Sequence, residues 1–441
     1  MNAAQREERL DLDELRDAWP ALDADERAEG FRLLGRDDAS ELYESLRPLA
    51  QAQILVRLPR PERRVWLRLL APDDAADALQ EVEQEQRGEL LEMLDGPTRR
   101  EVNALMAYAE DDAGGLMSPR FARVRPDMST DEAIRYLQRQ AREKLETIYY
   151  VYVLDAGQHL LGVCSFRELF MARPDQPVRQ IMHSDPVVVT EAMDQEAVAR
   201  IAQQGDFLAL PVVDDENRMK GIVTLDDIVD VVQEEATEDA QKFGGMEALD
   251  APYWQASLGH MVRKRAGWLA ILFVGEMFTA SAMSGFQNEI AQAVVLTLFM
   301  PLIISSGGNS GSQASTLIIR AMALGEIKLR DWLRILGREL RAGVLLGIIL
   351  AGIGVVRIVV WEAIFHSYGA HTGLLAITVG LALIGVVTWG TLTGSMLPFV
   401  LRRFGLDPAS ASAPFVATLV DVVGLVIYFE VARVVLGGAL G

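Results

Sequence analysis

Cysteine is nearly absent: the chain of 441 residues has one, Cys164. That excludes an internal disulfide framework and fits a reducing compartment. Histidine is scarce as well, and none of the five lies inside an apolar run: His260 precedes the first such run, while His366 and His371 flank a loop. Soft or imidazole-preferring metals therefore lack ligands there. The Gly-rich stretch GGNSG has no P-loop lysine after it, and no nucleophile-base pair or metal-hydrolase spacing stands out. An enzyme is not expected. The amino terminus MNAAQREERLDLDELRDAW is charged throughout and lacks the apolar core of a signal peptide.

Basic charge is deficient in the front part only. Overall 42 Lys and Arg face 62 Asp and Glu, a net charge of −20. From residue 263 onward there are 13 basic and 9 acidic residues, giving +4, so −24 falls on residues 1–262. Such a surface repels nucleic acid and anionic lipid and attracts cations. Apolar runs cover about 266–286, 290–324, 342–364, 373–401 and 411–437, each long enough for the roughly 20 residues that cross a bilayer. Five transmembrane helices are expected. Lys and Arg gather at 263–265, between the second and third runs, and at 402–403, whereas the remaining loops near 287–290 and 365–372 have none. Positive loops stay inside, which puts residues 1–262 in the cytoplasm and the carboxyl end outside.

Two internal repeats organise the front part. LLGRDDASELYESL at 33–46 recurs as LLAPDDAADALQEV at 69–82, an offset of 36, the signature of stacked helical hairpins. VYVLD at 151–155 and LPVVD at 210–214 share an offset of 59, as do LLGVCSFREL and MKGIVTLDDI. This doubled α/β module resembles a pair of CBS domains. Their nucleotide pattern, Gly then Ser/Thr then Asp, is met by Gly221, Thr224 and Asp227, with Glu168 replacing the Asp in the first copy. ATP is a candidate ligand there. The same residues can instead close a turn and cap a helix. Expected domains are 1–116 (helical), 117–240 (tandem CBS), 241–265 (connecting helix) and 266–441 (membrane).

The second apolar run is interrupted by SSGGNSGSQAST at 305–316, with Pro301 ahead of it. Proline removes a backbone donor and glycine permits unusual backbone, so the spacing predicts an unwound stretch lining a wet cavity around Gly307, Gly308 and Asn309. Gln313 would stand one turn further on. Gly311, Ala314 and Ser315 read as helix-packing residues. Asp421 falls near the middle of the last run, where a carboxylate costs about 2.5 to 3.5 kcal/mol. A passing cation would offset that charge. Glu276 lies equally deep in the first run and either faces the same path or bonds another helix; Glu289, in the short outer loop, either draws cations to the mouth or is simply solvated. Oxygen ligands of this kind suit a hard, hydrated ion such as Mg²⁺.

The whole chain resembles the MgtE family of magnesium channels, most specifically through PLIISSGGNSGSQASTLIIRAMALGEI at 301–327 and DPASASAPFVATLVDVVGLVIYF at 407–429. The resemblance implies a homodimer in the cell (inner) membrane, with a pore between subunits lined by the second and fifth spans. Hydrated Mg²⁺ would pass between Asp421 and the backbone near Gly307 and Gly308, with Asn309, Gln313 and Thr418 also on the path. It further implies closure by cytoplasmic Mg²⁺ at Asp111, Asp214, Glu216, Asp226, Asp227, Asp230, Glu234, Glu235, Glu238 and Asp239. One departure is that PYWQASLGHMVRKR at 252–265 holds no acidic residue; Ser312 for the family's Asn is another. A coupled divalent-cation transporter and a membrane-tethered sensor are the competing readings.

Overall fold

The computed structural model describes residues 11–141, 145–249, 251, 253–254, 256–287, 290, 294–366, 368 and 372–436. Glu289 lies outside them. The chain divides into two compact units, Met1–Glu235 and Ala236–Gly441.

The first unit opens with short helices, the first being α1 (Leu12–Ala18). Among them α2 (Ala24–Leu33), α3 (Arg36–Glu44) and α4 (Pro48–Arg57) recur 36 residues later as α5 (Arg60–Leu67), α6 (Pro72–Gln80) and α7 (Gln84–Leu91). Proline in the first turn of α4, α5 and α6 fixes where each begins, because its missing N–H needs no partner there. Phe31 of one copy and Trp66 of the next meet edge to face at 4.8 Å, with Tyr43 also against Trp66. Two three-stranded sheets follow: β1 (Phe121–Val124), β2 (Thr147–Leu154) and β3 (Leu160–Ser165), then β4 (Val189–Thr190), β5 (Ala209–Val213) and β6 (Met219–Thr224). In each, a parallel pair precedes an antiparallel pair. The two sheets are thus copies of one module, as the 59-residue offset predicts. A single apolar core runs from Leu12 of the helical repeats through Met117 to Leu210 and Val231 of the second module. Cys164 is fully buried within the first module.

The second unit is helical. After α8 (Leu225–Phe243) leaves the second module, the described helices are α9 (Leu258–Gly285), α10 (Met300–Ala323), α11 (Trp332–Phe365), α12 (Thr372–Arg403) and α13 (Ala413–Leu436). Residues 258–265, the basic end of the expected connecting helix, form the first two turns of α9 rather than an element of their own. Among the described residues four helices are long and apolar enough to cross a membrane: Leu258–Gly285, Leu329–Phe365, Thr372–Arg403 and Ala413–Leu436. The expected count of five is corrected to four on that criterion. The remaining one, α10, is long enough, 24 residues or about 36 Å at 1.5 Å each, but its serines, Asn309 and Gln313 lower its apolarity.

Candidate ion path and acidic cluster

Helix α10 continues without interruption from Met300 to Ala323. The expected unwinding at the glycines is therefore wrong, and none of Gly307, Gly308 and Gly311 has positive φ. Their purpose is close approach. A Cβ on Gly307 would meet Val386 and Val420 side chains at 2.5 and 2.8 Å, and one on Gly311 would meet the Gly390 carbonyl oxygen at 2.9 Å. On the facing helix, a Cβ on Gly390 or Gly394 would strike the Gly307 or Gly311 carbonyl. Small residues on both sides let α10 and α12 backbones touch. A hydroxyl pair ties the contact, Ser310 to Thr391 at 2.6 Å, and Ser315 donates to the Ala411 carbonyl at 2.9 Å in the turn after α12. Pro301 sits in the first turn, where it breaks nothing.

Gly308 differs. A Cβ there would rest in ordinary contact with Ala417 at 3.4 Å and reach within 3.9 Å of the Asp421 carboxylate. Asp421 itself is half-buried, the ninth residue of the 24-residue α13, and no Lys or Arg pairs with it among the described residues. Glu276 of α9 lies within electrostatic reach of it. Thr418, one turn before Asp421, spends its hydroxyl on the Pro414 carbonyl and packs its methyl against Gly275. Asn309 and Gln313 are exposed on the single chain, in one stripe with Ser305 and Thr316; Asn309 donates to Ser305 Oγ at 3.3 Å. Helix α10 thus presents a packing face of glycine and serine, a polar exposed stripe, and Gly308 against a carboxylate between them.

A second concentration of charge lies in the first unit, and sequence reasoning missed half of it. On α6, Asp73 is buried, and among the described residues its Oδ1 has no hydrogen-bond partner. Burial holds its carboxyl well above the usual range, with repulsion from Glu146, Asp74 and Asp227 adding to the shift. Burial likewise pushes Asp77 up to about 8, with Asp74, Asp227, Glu110 and Glu234 adding repulsion. Asp227 rises to about 7 for the same first reason, although Thr224 opposes it with bonds from its N–H at 3.1 Å and hydroxyl at 2.6 Å. Glu146 is raised by burial too. No three acidic, His or Cys side chains converge as direct ligands of one ion among the described residues. The orphaned oxygen and mutual repulsion nevertheless fit a divalent ion that retains much of its water.

Comparison with known proteins matches segments of both units. Residues 10–111 match the MgtE intracellular N domain, 113–175 and 178–234 the CBS domain, and 300–431 the MgtE divalent cation transporter. The magnesium transporter MgtE of Thermus thermophilus is 44% identical over 336 residues, 76% of this chain and 72% of that protein. The chain belongs to the MgtE family. A second member, from Bacillus subtilis, is 32% identical over 76% of this chain and 71% of its own length. Both relatives are named as magnesium transporters, a non-enzymatic class. A solved structure, the cytosolic domain of the Mg²⁺ channel MgtE in complex with ATP, is 43% identical, with a TM-score of 0.47 over 52% of this chain and 92% of that one.

Against this family background the sequence-derived acidic residues divide. Asp226, Asp227 and Glu234 join the cluster around α6. Asp214 does not: Arg218 at 2.9 Å, Lys220 at 3.2 Å and the Glu216 and Arg218 N–H groups occupy it, holding its carboxyl far below the usual range. Glu216 pairs with Arg218 at 3.1 Å. Asp111 is exposed and serves through its backbone carbonyl, which accepts from Gln195 N–H. Asp230 is exposed, and Glu235 accepts from Gln195 Nε2 at 2.7 Å. Asp239 lies half-buried further along α8. Glu238 pairs with Lys242, which also reaches Asp407 at 2.8 Å. Asp407 begins the turn Pro408–Ser410 that leads into α13. Trp268 Nε1 donates to Ser412, just after that turn, beside Gly245, whose φ of +76° lets the chain bend there. Gly221 is buried against Met117 and the Ser118 carbonyl. One signal for the missed residues was present: Asp73 and Asp77 are one helical turn apart on the small, alanine-rich helix PDDAADALQ, where a solvated pair needs no alanine cover.

Proposed function

We propose that the chain is a Mg²⁺ channel working as a homodimer in the cell membrane, with its amino-terminal part cytoplasmic, closed by cytoplasmic Mg²⁺ binding to its acidic cluster. The observation carrying the conduction reading is the half-buried Asp421 set against Gly308, with no cationic partner among the described residues. Because α10 is intact, its carbonyls are spent on helix bonds and cannot strip an ion of water. Asp421 then acts as a charge near the path, with Gly308 leaving room for a hydration shell and Asn309 and Gln313 offering polar side chains along the stripe. Mg²⁺ sheds water reluctantly, so passage with its shell suits this lining. One carboxylate per subunit attracts the ion without holding it for long.

Regulation rests on the other concentration of charge. At neutral pH the cluster of Asp73, Asp77 and Asp227 must either take up protons or recruit a cation, since charged carboxylates repel one another in low dielectric. Mg²⁺ would bridge Asp226, Asp227 and Glu234 to α6, shifting the equilibrium by its differential affinity for the closed arrangement. Lys242, held by Glu238 and Asp407, offers the route toward α13. ATP at Gly221, Thr224 and Asp227 would have to replace the Thr224–Asp227 bonds; equilibrium dialysis with labelled ATP against Asp227→Ala tests it.

Flux into liposomes under a potassium diffusion potential, with proton and sodium gradients abolished, tests the channel. Sustained Mg²⁺ entry supports it; entry that stops when those gradients are removed supports a coupled exchanger with Asp421 or Glu276 as the titrating group. Absence of any flux supports a tethered sensor.

A further inference from the structure

Helix α11 carries a cation that conduction does not use. Its residues Ile349, Ile353, Val356, Val360 and Ile364 are all exposed and recur every three or four positions, a continuous apolar face of the kind that meets lipid. Arg357 is exposed on this same face. No Asp or Glu pairs with it among the described residues. Its guanidinium lies over Trp361 at 5.1 Å and Phe299 at 5.4 Å and donates to the Tyr368 hydroxyl at 3.1 Å. The nearby carboxylate of Glu362 is turned to the Tyr368 N–H instead, at 2.6 Å. A guanidinium has five N–H donors in a planar fork, so most remain to be satisfied.

Beside the guanidinium a cleft of about 90 Å³ opens between α10, α11 and α12, lined by Leu302, Ser306, Leu350, Ile353 and Leu383. Arg357 stands eight residues before the end of α11 at Phe365, about 12 Å along the axis at 1.5 Å per residue. Trp361, Phe365 and Tyr368 follow it, aromatic rings of the type that settle at a membrane surface. The opposite end of α11 bears Arg334, Arg338 and Arg341, which places Arg357 in the other leaflet.

We propose that Arg357 and this cleft form a phospholipid site: the phosphate takes the free guanidinium N–H groups, and part of an acyl chain lies in the cleft. An unpaired cation in an apolar membrane face calls for an anion, and the phosphate of a lipid lies at the depth the side chain reaches by stretching toward the interface. The occupant is a lipid rather than a free anion because the wall beneath the guanidinium is apolar.

Native mass spectrometry of the intact chain released from detergent counts the lipids it keeps. Phosphatidylglycerol and phosphatidylcholine of matched chains are both expected to be retained, and Arg357→Gln is expected to keep each at least about tenfold less, the loss of a charge-assisted bond. Arg357→Lys keeps the charge without the fork and should lose about threefold, which leaves the test available if the Gln variant does not fold. Unchanged retention in both variants overturns the proposal. So does displacement of the lipid by inorganic phosphate, which would make this a free-anion site. A shift in the monomer to dimer ratio with lipid retention intact would show that Arg357 meets a second copy of the chain instead.

Discussion

Both units place carboxylates where water is scarce, yet they do so in opposite ways. Around α6 several acids crowd together, with Asp73 Oδ1 lacking a partner and Asp77 and Asp227 shifted into the neutral range. In α13 a single Asp421 faces a glycine. Many charges at one place favour capture and bridging, the behaviour of a sensor. A lone carboxylate against a glycine, with Glu276 the other acid in reach, favours attraction followed by release, the behaviour of a path.

Exchanging these properties breaks the comparison, and the largest effect belongs to the single charge. Asp421→Ala removes the carboxylate that draws the ion, and losing about 3 kcal/mol of that attraction should lower Mg²⁺ flux into liposomes by about two orders of magnitude at about 1.4 kcal/mol per tenfold. The neutral helix should fold as well as before, measured by circular dichroism. Next come the glycines. Gly307→Ala forces Val386 and Val420 apart and should destabilise the membrane unit by about 1 to 3 kcal/mol, seen in denaturant melts. Gly308→Ala fits without clash, so its stability should hold while flux drops, because the added methyl intrudes beside Asp421. Equal behaviour of the two variants would erase the distinction between packing and path.

In flux the cluster gives a smaller effect, and in stability a pH-dependent one. The folded pKa values of Asp77 and Asp227, about 8 and about 7, lie above the unfolded value of about 3.9. The folded state therefore binds more protons, and its stability is fully present below pH about 4 and declines as pH rises toward 8. Without Mg²⁺ the melting temperature of the intact chain's first transition should fall over that window, and added Mg²⁺ should restore it at pH 8. Asp73→Asn with Asp77→Asn should flatten both responses. Smallest is Lys242→Ala: its partners are partly exposed, and such pairs contribute about 1 kcal/mol or less. The Mg²⁺ concentration that half-inhibits flux should move by at most about fivefold, again at 1.4 kcal/mol per tenfold.

The sequence exposes what repeats and what is costly. Offsets of 36 and 59 anticipate the helical hairpins and paired sheets, and Asp421 announces itself by depth alone. Glycine is harder to read. A Gly-Gly pair after Pro301 reads locally as a break, but whether it is one depends on Gly390 and Gly394, some eighty residues away, whose missing side chains admit the α10 carbonyls. Likewise nothing adjacent to Asp73 shows that Glu146 and Asp227 will close over it. Asp214 illustrates the converse: an acid in a promising VVDDE run, already paired through Arg218 and Lys220.

The polar stripe of α10 offers the most direct test. The lone native cysteine, Cys164, is fully buried, so thiols placed by Asn309→Cys and Gln313→Cys can be probed in the intact chain in liposomes. A charged, membrane-impermeant thiol reagent should modify both positions, block Mg²⁺ flux, and react more slowly when Mg²⁺ is raised. Reaction only with an apolar, lipid-soluble reagent, and flux unaffected by it, would mean that the stripe faces lipid or dry protein, and that Asp421 borders no path for an ion.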